Sequence, residues 1–184
     1  MENVLIIDTE TTGLDPSKGA VCIEIGAMLY SIKQKVILQN FSTFLPCTDN
    51  PVEDINNIKA EWTQQKMPTG AGLIFLKYMA NEADAFVAHN AAFDKRFLQD
   101  NKELYEIVCN KKWICTKNDF KWPISLFRNR LQDICVAMGV PYVDAHRALI
   151  DCHFIASCFS KVEDLEQRLC AAMKSGFGSG KNFR

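Results

Sequence analysis

The stretch Asn3-Val4-Leu5-Ile6-Ile7-Asp8-Thr9-Glu10 decides how this chain is read. Four consecutive aliphatic residues in so short a run read as a buried β-strand. The acids at its end, Asp8 and Glu10, stand two residues apart. In an extended chain, residues i and i+2 project to the same face. Two like charges on one face repel unless something positive lies between them. Acids opening a solvated turn would give the same local pattern, so other acids along the chain must settle which reading holds.

Two further carboxylates fall where acids are seldom found. Asn90 reads as the N-cap of a helix from Ala91 to about Asp100, with Ala91, Phe97 and Leu98 on its apolar stripe. Asp94 lies inside that stripe. A later helix turns Ala148, Leu149, Cys152, Ile155, Ala156 and Phe159 inward, and Asp151 falls between Ala148 and Ile155. Burying a lone carboxylate costs several kcal/mol, so a fold avoids or neutralises it. Together with the pair at the strand end, these acids predict one convergent anionic cluster. Oxygen donors without thiolates or several histidines suit Mg²⁺ or Mn²⁺ rather than zinc. Four carboxylates can hold two such ions about 3.5–4 Å apart, the geometry of in-line phosphoryl displacement. His146, five residues before Asp151, stands beside the site and could take a proton from water.

Around these residues the chain divides as follows. Residues 3–8 form the first strand, followed beyond Glu10 by a loop holding Gly13 and Pro16. Residues 20–30 and 36–45 are rich in β-formers, with a hairpin or meander between them. Residues 50–67 suggest one or two short helices, and residues 70–83 a longer one. Residues 84–88 and 112–116 read as two more strands. Ser125 is a candidate cap for a helix carrying Phe127, Leu131, Ile134 and Met138, stopped by Gly139 and Pro141. Asp144 opens a single long helix over about 145–173. Strands first, then strands alternating with helices, predict an α/β sandwich on a mixed sheet, antiparallel at its start and parallel later.

The 184 residues suffice for one domain, assigned to 1–173, with a flexible basic tail over 174–184 carrying Lys174, Lys181 and Arg184. A hydrophobic fraction of 48% and a charged fraction of 23% are those of an ordinary globular protein. The net charge of -1 does not announce a nucleic-acid binder, but a carboxylate cluster lowers net charge while local basic patches still meet phosphate. The eight cysteines form no CxxC pair and read as buried free thiols of a cytoplasmic protein. No apolar run is long enough to span a membrane, and the start lacks a basic leader.

Asp8-Thr9-Glu10-Thr11-Thr12-Gly13, Ala88-His89-Asn90-Ala91-Ala92-Phe93-Asp94 and His146-Arg147-Ala148-Leu149-Ile150-Asp151 resemble, in order, the three motifs of the DEDDh (DnaQ-like) exonuclease superfamily. The resemblance covers residues 1 to about 160, and the three motifs together are highly specific. It implies an RNase H-like fold, a mixed five-stranded sheet flanked by helices. It also implies hydrolysis of nucleotides from a nucleic-acid 3′ end, DNA ahead of RNA. By position, Asp8, Glu10, Asp94 and Asp151 are implied as ligands of two Mg²⁺ or Mn²⁺ ions and His146 as the general base. Thr11 and Leu14 are implied to hold the terminal nucleotide, with Asn90 and Phe93 lining the same cleft. Trp113-Ile114-Cys115-Thr116 is most similar to the exonuclease X subgroup, with the proofreading exonucleases of bacterial replicases near it. The short run after the last helix leads us to expect a stand-alone enzyme. An exoribonuclease, a homodimer and a polymerase partner stay open. A binding module without catalysis is disfavoured because all five catalytic positions are filled. A sugar-kinase-like ATPase would need more glycines than Gly13 in its phosphate loop.

Overall fold

The computed structural model describes residues 1–64, 69–143 and 146–175. Its centre is a five-stranded sheet ordered β3-β2-β1-β4-β5. The strands are β1 (Asn3–Thr11), β2 (Cys22–Ser31), β3 (Val36–Phe44), β4 (Ala85–Ala88) and β5 (Trp113–Cys115). β1 pairs antiparallel with β2 and parallel with β4; β2 pairs antiparallel with β3, and β4 parallel with β5. The mixed sheet expected from the order of the elements is therefore present, antiparallel first and parallel later.

Alternation along β1 builds two cores. Val4 and Ile6 face one layer, with Met28, Tyr30, Val87 and Ile114. Leu5 and Ile7 face the other, with Ala27, Phe86, Ala88 and Trp113. The first layer is covered by α6 (Leu131–Ala137), α7 (Ala148–Ser160) and α8 (Leu165–Ser175), through Ile134, Ile155, Phe159 and Leu169. The second is covered by α3 (Thr69–Asn81), α4 (Ala91–Asp100) and α5 (Lys102–Val108), through Leu76, Phe97, Leu98 and Leu104. Two one-turn helices, α1 (Glu53–Asn56) and α2 (Ala60–Thr63), lie between β3 and α3. No helix among the described residues is long and apolar enough to cross a membrane.

Several boundaries depart from the sequence reading. β1 does not stop at Asp8: pairing with β2 carries it through Glu10, opposite Glu24, to a register shift at Thr11. Asn90 occupies the N-cap position of α4 but adopts a left-handed backbone (φ 73°) and makes no side-chain capping bond. Ser125 caps nothing. Residues 117–130 are irregular and α6 begins only at Leu131, because the buried spacing runs through Leu131, Ile134 and Cys135 while Phe127 is 97% exposed. Gly139, at φ 64°, does stop that helix as expected.

The long final helix is two helices. α7 ends at Ser160, and the chain turns with Val162 fully buried before α8 begins. Burying Val162 and Leu165 in one core requires that turn, a tertiary demand that overrides local helix propensity. Asp144 and Ala145, the start expected for that helix, lie outside the described residues, as do residues 176–184 of the expected tail. α5 was not anticipated, although Asn101 signals it: its Oδ1 accepts from the amides of Glu103 and Leu104.

A candidate metal and catalytic site at the end of the first strand

β4 pairs with β1 only along Val4–Ile6. The end of β1 therefore runs past β4, and residues 8–10 have no parallel neighbour on that side. This is the position at which α/β sheets present their ligands, beyond the carboxyl ends of parallel strands. Asp8 and Glu10 continue the parity of Val4 and Ile6, so they point toward α7. Thr9 points the opposite way, toward α4.

α7 reaches Asp8 because of Gly26, the residue paired with Asp8 on β2. A Cβ at Gly26 would lie 2.6 Å from Leu149 Cα and nearer still to Leu149 N, so the first turn of α7 rests directly on the strand backbone. The thiol of Cys152, one turn on, contacts the carbonyls of Gly26 at 3.4 Å and Ile6 at 3.7 Å. This close approach carries Asp151 over the strand end. One carboxylate oxygen each from Asp8, Glu10 and Asp151 lies within 4.8 Å of the other two.

Asp94 is 2% exposed on α4 and accepts a hydrogen bond from Thr9 Oγ1 at 2.9 Å. Its charge acts on both Asp8 and Glu10. The structure thus groups one oxygen each of Asp8, Glu10 and Asp151, with Asp94 held beside them by Thr9.

Electrostatics shows what the cluster lacks. Burial, then the charges of Asp94 and Asp151, push the Asp8 carboxyl well above the usual carboxylate range. Burial, then Asp151 and Glu24, raise Glu10 to about 8. Burial raises Asp94 to about 7 against the lowering effect of the Thr9 hydroxyl. Crowded, desolvated acids that resist ionising call for a cation. Oxygen-only donors converging from a strand and a helix fit a hard divalent ion, which would restore the ionised form of each.

His146 directly precedes Arg147, the residue from which α7 starts. It is exposed and has φ 40°, a left-handed conformation uncommon for residues other than glycine. Such backbone positions are over-represented at functional sites. The hydroxyl of Thr11 donates to the Gly13 carbonyl at 2.7 Å, shaping the loop in which Leu14 stands 81% exposed. The Leu14 carbonyl accepts from Arg96 of α4 at 2.6 Å, tying that loop to the helix that carries Asp94. Asn90 is half-buried, and Phe93 packs on Phe97 with ring centroids 4.9 Å apart.

The residues missed from sequence are Glu24 and Arg147. Glu24 is 1% exposed on β2, opposite Glu10. Its carboxylate accepts from Arg147 Nε at 2.9 Å and Nη2 at 2.7 Å, from Ser42 Oγ at 2.7 Å and from the Ala148 amide at 3.3 Å. It therefore pins the residue after His146 and stabilises the positive end of α7. Its signal was available: an acid inside the apolar run Cys22-Ile23-Glu24-Ile25 is as anomalous as Asp94. Glu24→Gln should cost about 2–3 kcal/mol by weakening a charge-assisted network while leaving Arg147 poorly paired. Urea unfolding of the two proteins would measure it, and hydrolytic activity should fall with it as residue 146 loses its anchor.

The comparisons with known proteins fall on the same residues. An exonuclease family model (RNase_T) matches residues 5–159, a span that holds all three motifs. DNA polymerase III subunit epsilon of Rickettsia typhi is 40% identical over 106 residues, 54% of this chain and 43% of that protein. The chain thus spans less than half the length of that relative. The nuclease domain of 3′hExo, a DEDDh family member bound to rAMP, superposes with a TM-score of 0.71 at 17% identity, covering 91% of this chain and 94% of that one. Exonuclease X in complex with 5′ overhanging duplex DNA gives a TM-score of 0.62 at 22% identity, covering 92% and 99%. These last two are likenesses of fold, and the fold they share with this chain is RNase H-like. With its family match running from the first strand through α7, the chain belongs to the exonuclease family.

Proposed function

We propose that this chain is a metal-dependent 3′→5′ exonuclease that releases nucleoside monophosphates from nucleic-acid 3′ ends, DNA before RNA. The observation that carries the proposal is the convergence of Asp8, Glu10 and Asp151 within 4.8 Å, with the carboxyls of Asp8 and Glu10 held above their usual range. Two Mg²⁺ or Mn²⁺ ions held by Asp8, Glu10, Asp94 and Asp151 would activate the attacking water and stabilise the leaving 3′ oxygen. Asp8, whose carboxyl feels the charges of Asp94, Asp151 and Glu10, would serve both ions. Thr9 fixes the direction of the Asp94 carboxylate through its hydroxyl. His146 takes the proton from the attacking water, and the Glu24–Arg147 pair holds the backbone on which His146 sits. Leu14, exposed on the loop after β1, rests against the terminal nucleotide, with Thr11, Asn90 and Phe93 shaping the cleft around it.

The preference for DNA draws on the relatives named as DNA polymerase subunits and on the fold neighbour in complex with duplex DNA. The rAMP in another neighbour keeps RNA as the second arm of the test. Matched DNA and RNA oligonucleotides, labelled at the 5′ end, would be incubated with the isolated chain in Mn²⁺ and in chelator. Stepwise shortening from the 3′ end in Mn²⁺ alone is the expected result. Internal cleavage, or shortening that persists in chelator, would reject the reading. His146→Ala should lower kcat by about 10²–10⁴-fold, the usual contribution of a positioned base, while leaving the melting temperature unchanged.

A further inference from the structure

The segment 117–130, between β5 and α6, carries a feature the catalytic site does not use. Phe127 is 97% exposed, the most exposed large apolar side chain among the described residues. It packs against nothing in the core, so its ring contributes no folding energy that would explain its presence. Its immediate surroundings are cationic. The Arg128 guanidinium lies 5.9 Å from the ring centroid, and the Asn129 side chain donates to the Lys117 carbonyl at 2.9 Å, tying the start of the segment to its end. Arg130 is committed to Asp133 through two hydrogen bonds, and Asp119 accepts from the Cys115 amide, so the acids nearby are occupied within the protein.

The segment also springs from beside the start of the helix that carries Asp94. At one end it leans on His89, next to the start of α4. His89 Nδ1 lies 3.0 Å from Thr116 Oγ1, and His89 is hydrogen-bonded to the Asn129 backbone; burial and then the Lys117 ammonium lower its imidazolium to about 4. A lone exposed aromatic ring beside a guanidinium, on a segment whose base lies next to the helix carrying Asp94, suits a polyanion with exposed flat bases. A protein partner would call for a broader apolar patch.

We infer that residues 117–130 form a platform for single-stranded nucleic acid, on which Phe127 stacks with an unpaired base upstream of the 3′ terminus while Lys117 and Arg128 neutralise the adjacent phosphates. The identity of the ligand rests on the exonuclease reading; the exposed ring and its charges do not. The platform gives the enzyme a preference for unpaired 3′ ends, because a base held in a duplex offers no free face to the ring.

The test is fluorescence anisotropy with labelled oligothymidylate, oligouridylate and a blunt duplex, all in an Asp8→Asn background that removes hydrolysis and one like charge. Phe127→Ala should weaken binding of the single strands by about 5–150-fold, the range for loss of one stacked base. Phe127→Trp should restore it, and the duplex should be affected less. Lys117→Ala with Arg128→Ala should lower the salt slope for a single strand by about 1.4. All variants should melt at the temperature of the parent, which excludes a structural cause. Undiminished binding by Phe127→Ala, failure of Phe127→Trp to restore it, or no single-strand binding by the parent would overturn the platform. Hydrolysis is scored separately with Asp8 intact. Binding through Phe127 without hydrolysis would overturn the exonuclease reading and leave the platform standing; hydrolysis with binding independent of Phe127 would do the reverse.

Discussion

Asp8→Asn is expected to abolish hydrolysis, with a loss in kcat of about 10³-fold or more, and at the same time to raise the stability of the metal-free protein. The first effect follows from the place of Asp8 at the centre of the acids, since metal ions supply several kcal/mol of transition-state stabilisation. The second follows from the raised carboxyls. A carboxyl whose folded-state value is raised contributes stability that is fully present below its ordinary value and is lost as pH rises through the folded one. Glu10 is raised to about 8, Asp94 to about 7 and Asp8 well above its usual range, so the metal-free wild type should lose stability from about pH 4 toward about pH 8. Removing the charge of Asp8 relieves the repulsion on its neighbours and should flatten that decline. Thermal melts in chelator at about pH 5 and about pH 8 would measure it. A variant that melts lower than wild type at the higher pH would show that Asp8 is held by the fold for some other purpose.

Gly26→Ala is expected to be the most damaging glycine-to-alanine change among the described residues. The added Cβ would meet the backbone of Ala148 and Leu149, and backbone cannot rotate away as a side-chain tip can. Overpacking of this kind costs about 3 kcal/mol when the elements must separate. The element displaced would be α7, so Asp151 would retreat from Asp8 and activity should fall further than stability alone explains. Gly70→Ala provides the control. Nothing lies within 4 Å of a Cβ at Gly70 in the first turn of α3, so the same change should leave melting temperature unchanged or slightly raised. Calorimetric melting of both variants, with activity at a temperature where both stay folded, separates the two effects.

Some of this architecture was legible in the sequence, and some was not, for physical reasons. The run Val4–Ile7 closing on Asp8 and Glu10 announced a buried strand with a polar tip, because strand periodicity is a local property. Asp94 stood out for the same reason: its helix stripe is local, and a buried acid violates it. Asp94's partner, Thr9, was not legible, since the pair joins opposite ends of an 85-residue separation. The Glu24–Arg147 pair is harder still, spanning 123 residues. The break between α7 and α8 carries no glycine or proline to mark it, and only the demand to bury both Val162 and Leu165 produces it. Phe127 misled the helix reading because apolar spacing alone cannot tell a core residue from one kept in water. Nothing local in β2 marks Gly26; its importance appears only once α7 is laid on it.

The measurement that bears most directly on the carboxylate cluster is the thermal response to Mn²⁺ at about pH 8, for wild type and for Asp8→Asn. Because a ligand that binds only the folded state stabilises it by mass action, wild type should show a saturable rise in melting temperature with Mn²⁺. Asp8→Asn should show little or none. An equal rise in both proteins, or no rise in wild type while 3′ trimming continues in chelator, would contradict the proposal that these four acids hold the ions.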